Sequence, residues 1–281
     1  MTDKTIKIIK TIKDFDIAQI ADSGQCFRLN RREDGSYSLI ARGRYLEILQ
    51  QEETITFSCD EDEFHDIWET YFDLMTDYGA FKAQIESKDQ YMQQACAYGK
   101  GIRILRQELW EMVITFIISQ QNNIPRIKKC VESICRAFGE KRTNFRNETY
   151  YTFPSPEALA GLEEEDLSSC SLGYRNKYIR KTADMVISGG YDLYRLYDLK
   201  YEDARRELLK LCGVGIKVAE CICLFALHHI DAFPIDTHIQ KVLDRYYPEG
   251  FPFEKYQGFA GILQQYAFYY DVFTPGGTID F

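Results

Sequence analysis

The hydrophobic pattern of this chain changes period once, near residue 85, and that change limits the folds open to it. Before it, apolar residues alternate within short runs, IKIIKTI, SYSLIARGRYLEILQ and TITFSCD, divided by turn signals such as EDG. A period of two marks half-buried strands. After it, runs such as QELWEMVITFIISQ, IPRIKKCVESICRAFG and YRNKYIRKTADMVISGG carry apolar residues at helical spacing. In the second of these, Ile127, Cys130, Val131, Ile134 and Phe138 share one face, Pro125 sits in the tolerated first turn and Gly139 is a stop. The pattern predicts an α+β chain, with a small N-terminal antiparallel β-sheet domain over 1–85 and a mostly α-helical domain over 86–281. No internal repeat or long linker separates the two, so the sheet is expected to pack directly on the helices.

At 281 residues the chain can bury a real core without staples. Its nine cysteines run from Cys26 to Cys223 in no regular spacing, which fits neither a disulfide framework nor a zinc motif. A reducing compartment follows. No run is long and apolar enough to cross a membrane, so the expectation is an intracellular protein, in the cytoplasm or nucleoid if bacterial. The net charge of −9 argues by itself against a nucleic-acid partner, because phosphates are met by Lys and Arg. The acid is concentrated, however, in DEDEF at 60–64 and EEED at 163–166, which leaves room for a local basic face.

The chemistry lies between residues 201 and 243. A helix ending near Leu211, a tight turn Gly213-Val214-Gly215 and a second helix from Ile216 make a helix-hairpin-helix. Its glycines let a phosphate approach the turn and the second helix's N-H groups. Such a turn alone is an ordinary helix connection. Lys217 changes the balance: in the first turn of a helix a cation is disfavoured by the dipole, and the apolar run VAECICLFAL follows, a setting that favours the neutral, nucleophilic amine. Asp236, in FPIDTH, is placed to cap the next helix and to supply a nearby negative charge. The pair is the signal.

On these residues the sequence resembles the helix-hairpin-helix DNA glycosylase superfamily, whose signature is LxGVGxKxA followed by Pro-x-Asp; LCGVGIKVAE and FPIDTH fit it. The resemblance implies that Lys217 is the Schiff-base nucleophile of a bifunctional glycosylase and AP lyase, and Asp236 its electrostatic partner. Four further runs resemble the 8-oxoguanine DNA glycosylase branch. SGQCFR at 23–28 implies that the Gly24 carbonyl reads the N7-H of 8-oxoguanine. FIISQQNNIPRI at 116–127 implies contacts to the estranged cytosine and its strand from Gln121, Asn122 and Arg126. LGYRNKY at 172–178 implies that Tyr174 wedges into the stack while Arg175 reads the cytosine. ILQQYAFYY at 262–270 implies that Gln264 meets the Watson-Crick edge and Phe268 stacks on the flipped base, with Cys221 as the opposite wall. Gly213 and Gly215 would meet a phosphate, and His238 is a further candidate for one. The chain departs from the branch at Gln121, where relatives carry asparagine, and at Leu29, where tryptophan is common.

The implied partner is double-stranded DNA containing a damaged purine, bound by a monomer and away from membranes. The chemistry requires no organic cofactor. No iron-sulfur cluster is expected, since the last cysteine, Cys223, precedes Asp236; relatives hold a monovalent cation at the hairpin. Two rivals are a glycosylase for other damaged bases and a non-catalytic DNA-binding module. Lys217 argues against monofunctional alkylation enzymes, and Lys217 with Asp236 against a pure binding module.

Overall fold

The structure is a computed structural model that describes residues 6–274; residues 1–5 and 275–281 of the two expected domains lie outside the described residues. Five short strands form an antiparallel sheet in the order β1-β5-β4-β3-β2: Ile8–Thr11, Leu29–Arg31, Tyr37–Ala41, Arg44–Gln51 and Thr54–Phe57 for β1 to β5. Alternation sets its register. Leu39 pairs with Leu46 and Ile48 with Phe57, and all four are buried on one face. The β3–β4 hairpin turns through Arg42 and Gly43, both with positive φ, the backbone a two-residue hairpin turn needs. Helix α1 (Ile17–Asp22), capped by Asp16, covers the sheet together with a helical stretch that contains Glu61–Glu63 (α2), a π turn Phe64–Trp68 and Glu69–Tyr71 (α3). Trp68, Phe72 and Ile20 complete this core.

The remaining helices are α4 (Tyr78–Lys82), α5 (Gln90–Tyr98), α6 (Leu109–Ser119), α7 (Ile124–Phe138), α8 (Pro156–Leu159), α9 (Arg175–Ile187), α10 (Tyr201–Leu208), α11 (Ile216–Phe225), α12 (Thr237–Tyr246) and α13 (Ala260–Phe273). Every residue of α6 is buried, so it is the axis around which α7, α9 and α11 pack. On α7 the expected face points inward, with Asn123 as N-cap and Pro125 in the first turn. Gly139 does end α7, but without a left-handed φ: a Cβ there would collide with the Thr152 carbonyl.

That collision comes from an element the sequence pattern does not announce. A second hairpin, β6 (Lys141–Thr143) with β7 (Thr149–Tyr151), interrupts the helical region and folds back on the outer face of the sheet. Arg146 holds the buried Glu47 at 2.6 Å, and Arg32 holds Glu148 at 3.0 Å.

The sheet side and the helices are joined through a buried clamp. Gln25 donates from Nε2 to the Arg103 carbonyl at 2.9 Å and accepts the Leu105 N-H at 2.8 Å, while Gln107 donates to the Gln25 carbonyl at 2.7 Å. Residues 23–28 are thereby fixed to the segment leading into α6. This is what positions Gly24.

Candidate active site

Helix α10 ends at Leu208, and the hairpin occupies the residues up to Gly215, which N-caps α11. Gly213 has φ +81, and a Cβ there would lie 2.6 Å from the Tyr178 ring on α9, so both backbone and space demand glycine. Its carbonyl accepts from Gln120 Nε2 at 2.9 Å, and that of Cys212 from the Thr182 hydroxyl at 3.1 Å. The hairpin is thus held from behind. Gly215 faces open space, as a surface meant for close approach should.

Lys217 is half-buried in the first turn of α11, and its Nζ lies 5.4 Å from the centre of the Phe116 ring on α6. Asp236 N-caps α12, its Oδ1 accepting the His238 and Ile239 N-H groups at 3.0 and 2.9 Å. Both side chains line an outer cavity of about 570 Å³ and a small inner cavity of about 50 Å³. Gly24, Phe116, Lys217, Asp236 and Phe268 border both, so the amine and the carboxylate stand where the outer cavity narrows into the inner one.

The inner cavity has Cys221, Phe225, Pro234, Gln264 and Gln265 along its walls. Burial pushes the Cys221 thiol up to about 11, against the opposing pull of the Lys217 amine, which keeps it a neutral wall residue. The Phe268 ring edge is 3.1 Å from where a Gly24 Cβ would sit, and His238 meets that ring edge-on at 5.7 Å. At about 50 Å³ this space takes waters but not a purine, so a base enters only if its lining gives way.

Gln264 lines the inner cavity, where the sequence placed it, whereas Arg175 and His238 have their polar atoms on protein partners. Arg175 is not displayed toward a partner: it is 4% exposed, and its guanidinium donates to the carbonyls of Gln120, Gln121 and Leu172. In this form it braces the segment before α7, because three carbonyls offer a buried cation what water would. His238 engages Asp271 at 2.7 Å and packs on Phe268, which makes its imidazole part of the cavity wall. Gln264 is 3% exposed, with its Nε2 donating to the Pro234 carbonyl at 3.0 Å and its Oε1 accepting from Gln265 Nε2 at 3.0 Å. By contrast Gln121 and Arg126 are exposed, Gln121 and Asn122 line the outer cavity, and Tyr174 is 49% exposed at the N-cap of α9 with the Arg175 guanidinium 4.6 Å from its ring centre.

The structure adds residues that sequence reasoning missed. Phe116 faces the Lys217 amine, Asp271 orients His238, Gln120 ties the hairpin to α6, and Gln265 stands beside Gln264. Only Gln265 left any trace, as the second member of a polar pair in an otherwise apolar run. Among the described residues, no group of three or more His, Cys, Asp or Glu side chains is arranged to hold a metal ion.

A braced hairpin followed by an aspartate that caps a later helix is the arrangement of the HhH-GPD superfamily of base excision DNA repair proteins, whose model matches residues 114–250. Residues 7–113 match the N-terminal domain of 8-oxoguanine DNA glycosylase. The chain belongs to the 8-oxoguanine DNA glycosylase family. Among solved structures, MBOgg1 in complex with a low affinity DNA ligand is similar at TM-score 0.90 and 38% identity, over 95% of this chain and 96% of that one. The Clostridium acetobutylicum 8-oxoguanine glycosylase/lyase, in complex with double-stranded DNA containing cytosine opposite 8-oxoG, is similar at TM-score 0.90 and 36% identity over 96% of each. A probable N-glycosylase/DNA lyase of Methanothermobacter thermautotrophicus is 34% identical over 64% of this chain and 63% of its own length. The N-glycosylase/DNA lyase of Saccharomyces cerevisiae is 38% identical over 53% and 42%. The chain therefore spans less than two thirds of these two curated relatives.

Proposed function

We propose that the chain is a bifunctional base-excision enzyme that removes 8-oxoguanine opposite cytosine from duplex DNA and nicks the strand at the resulting abasic site. The observation that carries this is the meeting of Lys217 and Asp236 at the neck between the two cavities, beside Gly24 and Phe268. The reading is supported by the relatives named glycosylase/lyase, one of them bound to DNA with cytosine opposite 8-oxoG.

A base in a duplex is out of reach of such a cleft, so the nucleotide must be flipped out, at a cost of a few kcal/mol. Exposed Tyr174 and Arg126, with Gln121, would fill and read the gap; Arg175 would join them only by leaving its three carbonyls. As the bond from C1′ to the base breaks, positive charge grows on the sugar. Asp236 lies close enough to the neck to stabilise it. The Lys217 amine forms a bond to C1′ while the base departs with the bonding electrons and takes the proton that the newly bonded nitrogen sheds. Ring opening then gives the protonated Schiff base. Loss of a C2′ proton expels the 3′ phosphate by β-elimination. One chain supplies every contact, so a monomer suffices. A monovalent cation at the hairpin would be held by backbone carbonyls of the turn, those of Cys212 and Gly213 already accepting one hydrogen bond each.

Borohydride reduction in the presence of an 8-oxoguanine–cytosine duplex is expected to trap a covalent adduct with the wild-type chain and none with Lys217→Gln. Absence of both adduct and base release from the wild type would falsify the bifunctional reading.

A further inference from the structure

Where α6 ends, one residue serves two partners at once. Gln120 leaves the helix with an extended ψ of 129°, Gln121 follows with φ +47, and the two successive carbonyls converge on one guanidinium. Arg175 Nε donates to the Gln120 carbonyl at 3.1 Å, and its Nη2 to that carbonyl and to the Gln121 carbonyl. The Gln120 side chain is engaged elsewhere, its Nε2 donating to the Gly213 carbonyl at 2.9 Å and to the Ile117 carbonyl at 3.2 Å. Gln120 thus holds Arg175 by its backbone and the hairpin by its side chain. Helix α9 holds the same hairpin through the Thr182 hydroxyl on the Cys212 carbonyl at 3.1 Å and through the Tyr178 ring against Gly213. Those contacts belong to a packed helix face, on which Thr182 is fully buried. The Gln120 contact differs, because the cation on its backbone must leave that seat to meet DNA. Two residues beyond Gly213, Gly215 caps α11, and Lys217 lies in the first turn of that helix.

Resting on the glycosylase reading above, we propose that Gln120 is a positioning residue that transmits the state of Arg175 to Lys217. With Arg175 seated, its hydrogen bonds fix the Gln120–Gln121 segment and, through Gln120 Nε2, the hairpin. When the base orphaned by flipping draws the guanidinium away, both carbonyls lose their donor and the segment settles elsewhere. Gly213 and the start of α11 follow, because Gln120 Nε2 ties them to it. A side chain with two seats, joined through one residue to the catalytic hairpin, is the two-state element that a coupling requires. Base release therefore depends on what stands opposite the lesion.

Single-turnover base release by the full chain is to be compared on duplexes with 8-oxoguanine opposite cytosine, adenine or an abasic analogue. The wild type is expected to act fastest opposite cytosine. Gln120→Met, which keeps the length and removes the donor, should shrink that advantage by about fivefold or more, the usual size of a coupling. Gln120→Asn, whose amide falls short of Gly213, should do the same. Binding should not account for the change: affinities in the Lys217→Gln background should differ by less than about threefold with and without Gln120→Met. Rate ratios within one preparation are insensitive to loss of folded protein. Thr182→Val, which removes the other side-chain bond on the hairpin without touching Arg175, should slow all three duplexes by one factor and keep the ratios. Equal slowing of all three by Gln120→Met, or the same shrinkage from Thr182→Val, would make Gln120 a brace only and overturn the proposal. Equal release from all three by the wild type also overturns it and leaves the glycosylase reading intact. No release from any duplex defeats that reading instead.

Discussion

Gln121 stands at the edge of the outer cavity with φ +47, a left-handed conformation that is strained for a residue with a long side chain. Asparagine adopts it more readily, because its short amide can bond locally. Gln121→Asn is therefore expected to raise stability by on the order of 1 kcal/mol, read as a shift in the denaturation midpoint. No gain would mean that Gln121 makes a compensating contact. The same position was marked in the sequence as a departure from the family's asparagine, but its backbone was not legible there. Neither was the burial of Arg175: the resemblance implies that it reads the cytosine, and only the three carbonyls converging on it explain why it is buried here.

At the level of elements, α6 carries an acid that its burial makes pH-sensitive. Burial pushes the Glu111 carboxyl up to about 7; Arg28 opposes the shift and Glu108 adds to it. A carboxyl raised above its unfolded value favours the fold when protonated. That contribution is complete below about pH 4.5 and is lost as pH rises through about 7. Glu111→Gln should remove a slope of roughly 2–3 kcal/mol over that window, so urea midpoints of the variant should vary less between pH 5 and 8 than those of the wild type. Equal slopes would place the titration elsewhere. Helices such as α7 and α11 were readable in advance because their apolar spacing and caps agree. The β6–β7 hairpin was not, since its six strand residues are only exposed or half-buried and show no inward face; it is held by Arg146 on Glu47, a pairing across the chain.

Across the whole molecule, Asp73 is the knot between the sheet side and the helices. It is 3% exposed, with Arg106 at 2.8 Å, His228 at 3.3 Å and the Tyr78 hydroxyl at 3.0 Å. Burial alone would raise its carboxyl, but the His228 and Arg106 contacts outweigh that and hold it well below the usual range. For a depressed carboxyl, stability is present above its unfolded value near 3.8 and is lost as pH falls below it. Asp73→Asn should cost roughly 1–3 kcal/mol, by removing the buried acceptor that Arg106, His228 and the Tyr78 hydroxyl share, and should flatten the acid limb of a stability–pH curve. A loss under about 1 kcal/mol would show the cluster to be solvated, as surface pairs are.

By itself the sequence determined the α+β order, the helix-hairpin-helix and the helix-start positions of Lys217 and Asp236, because period, caps and glycine turns are local and act within a few residues. Tertiary structure decided the rest. The neck between the cavities, the bracing of Gly213 by Gln120 and the seat of Arg175 all depend on groups far apart in the chain meeting at hydrogen-bond distance. No spacing along one strand of sequence encodes which of two amides will face a carbonyl.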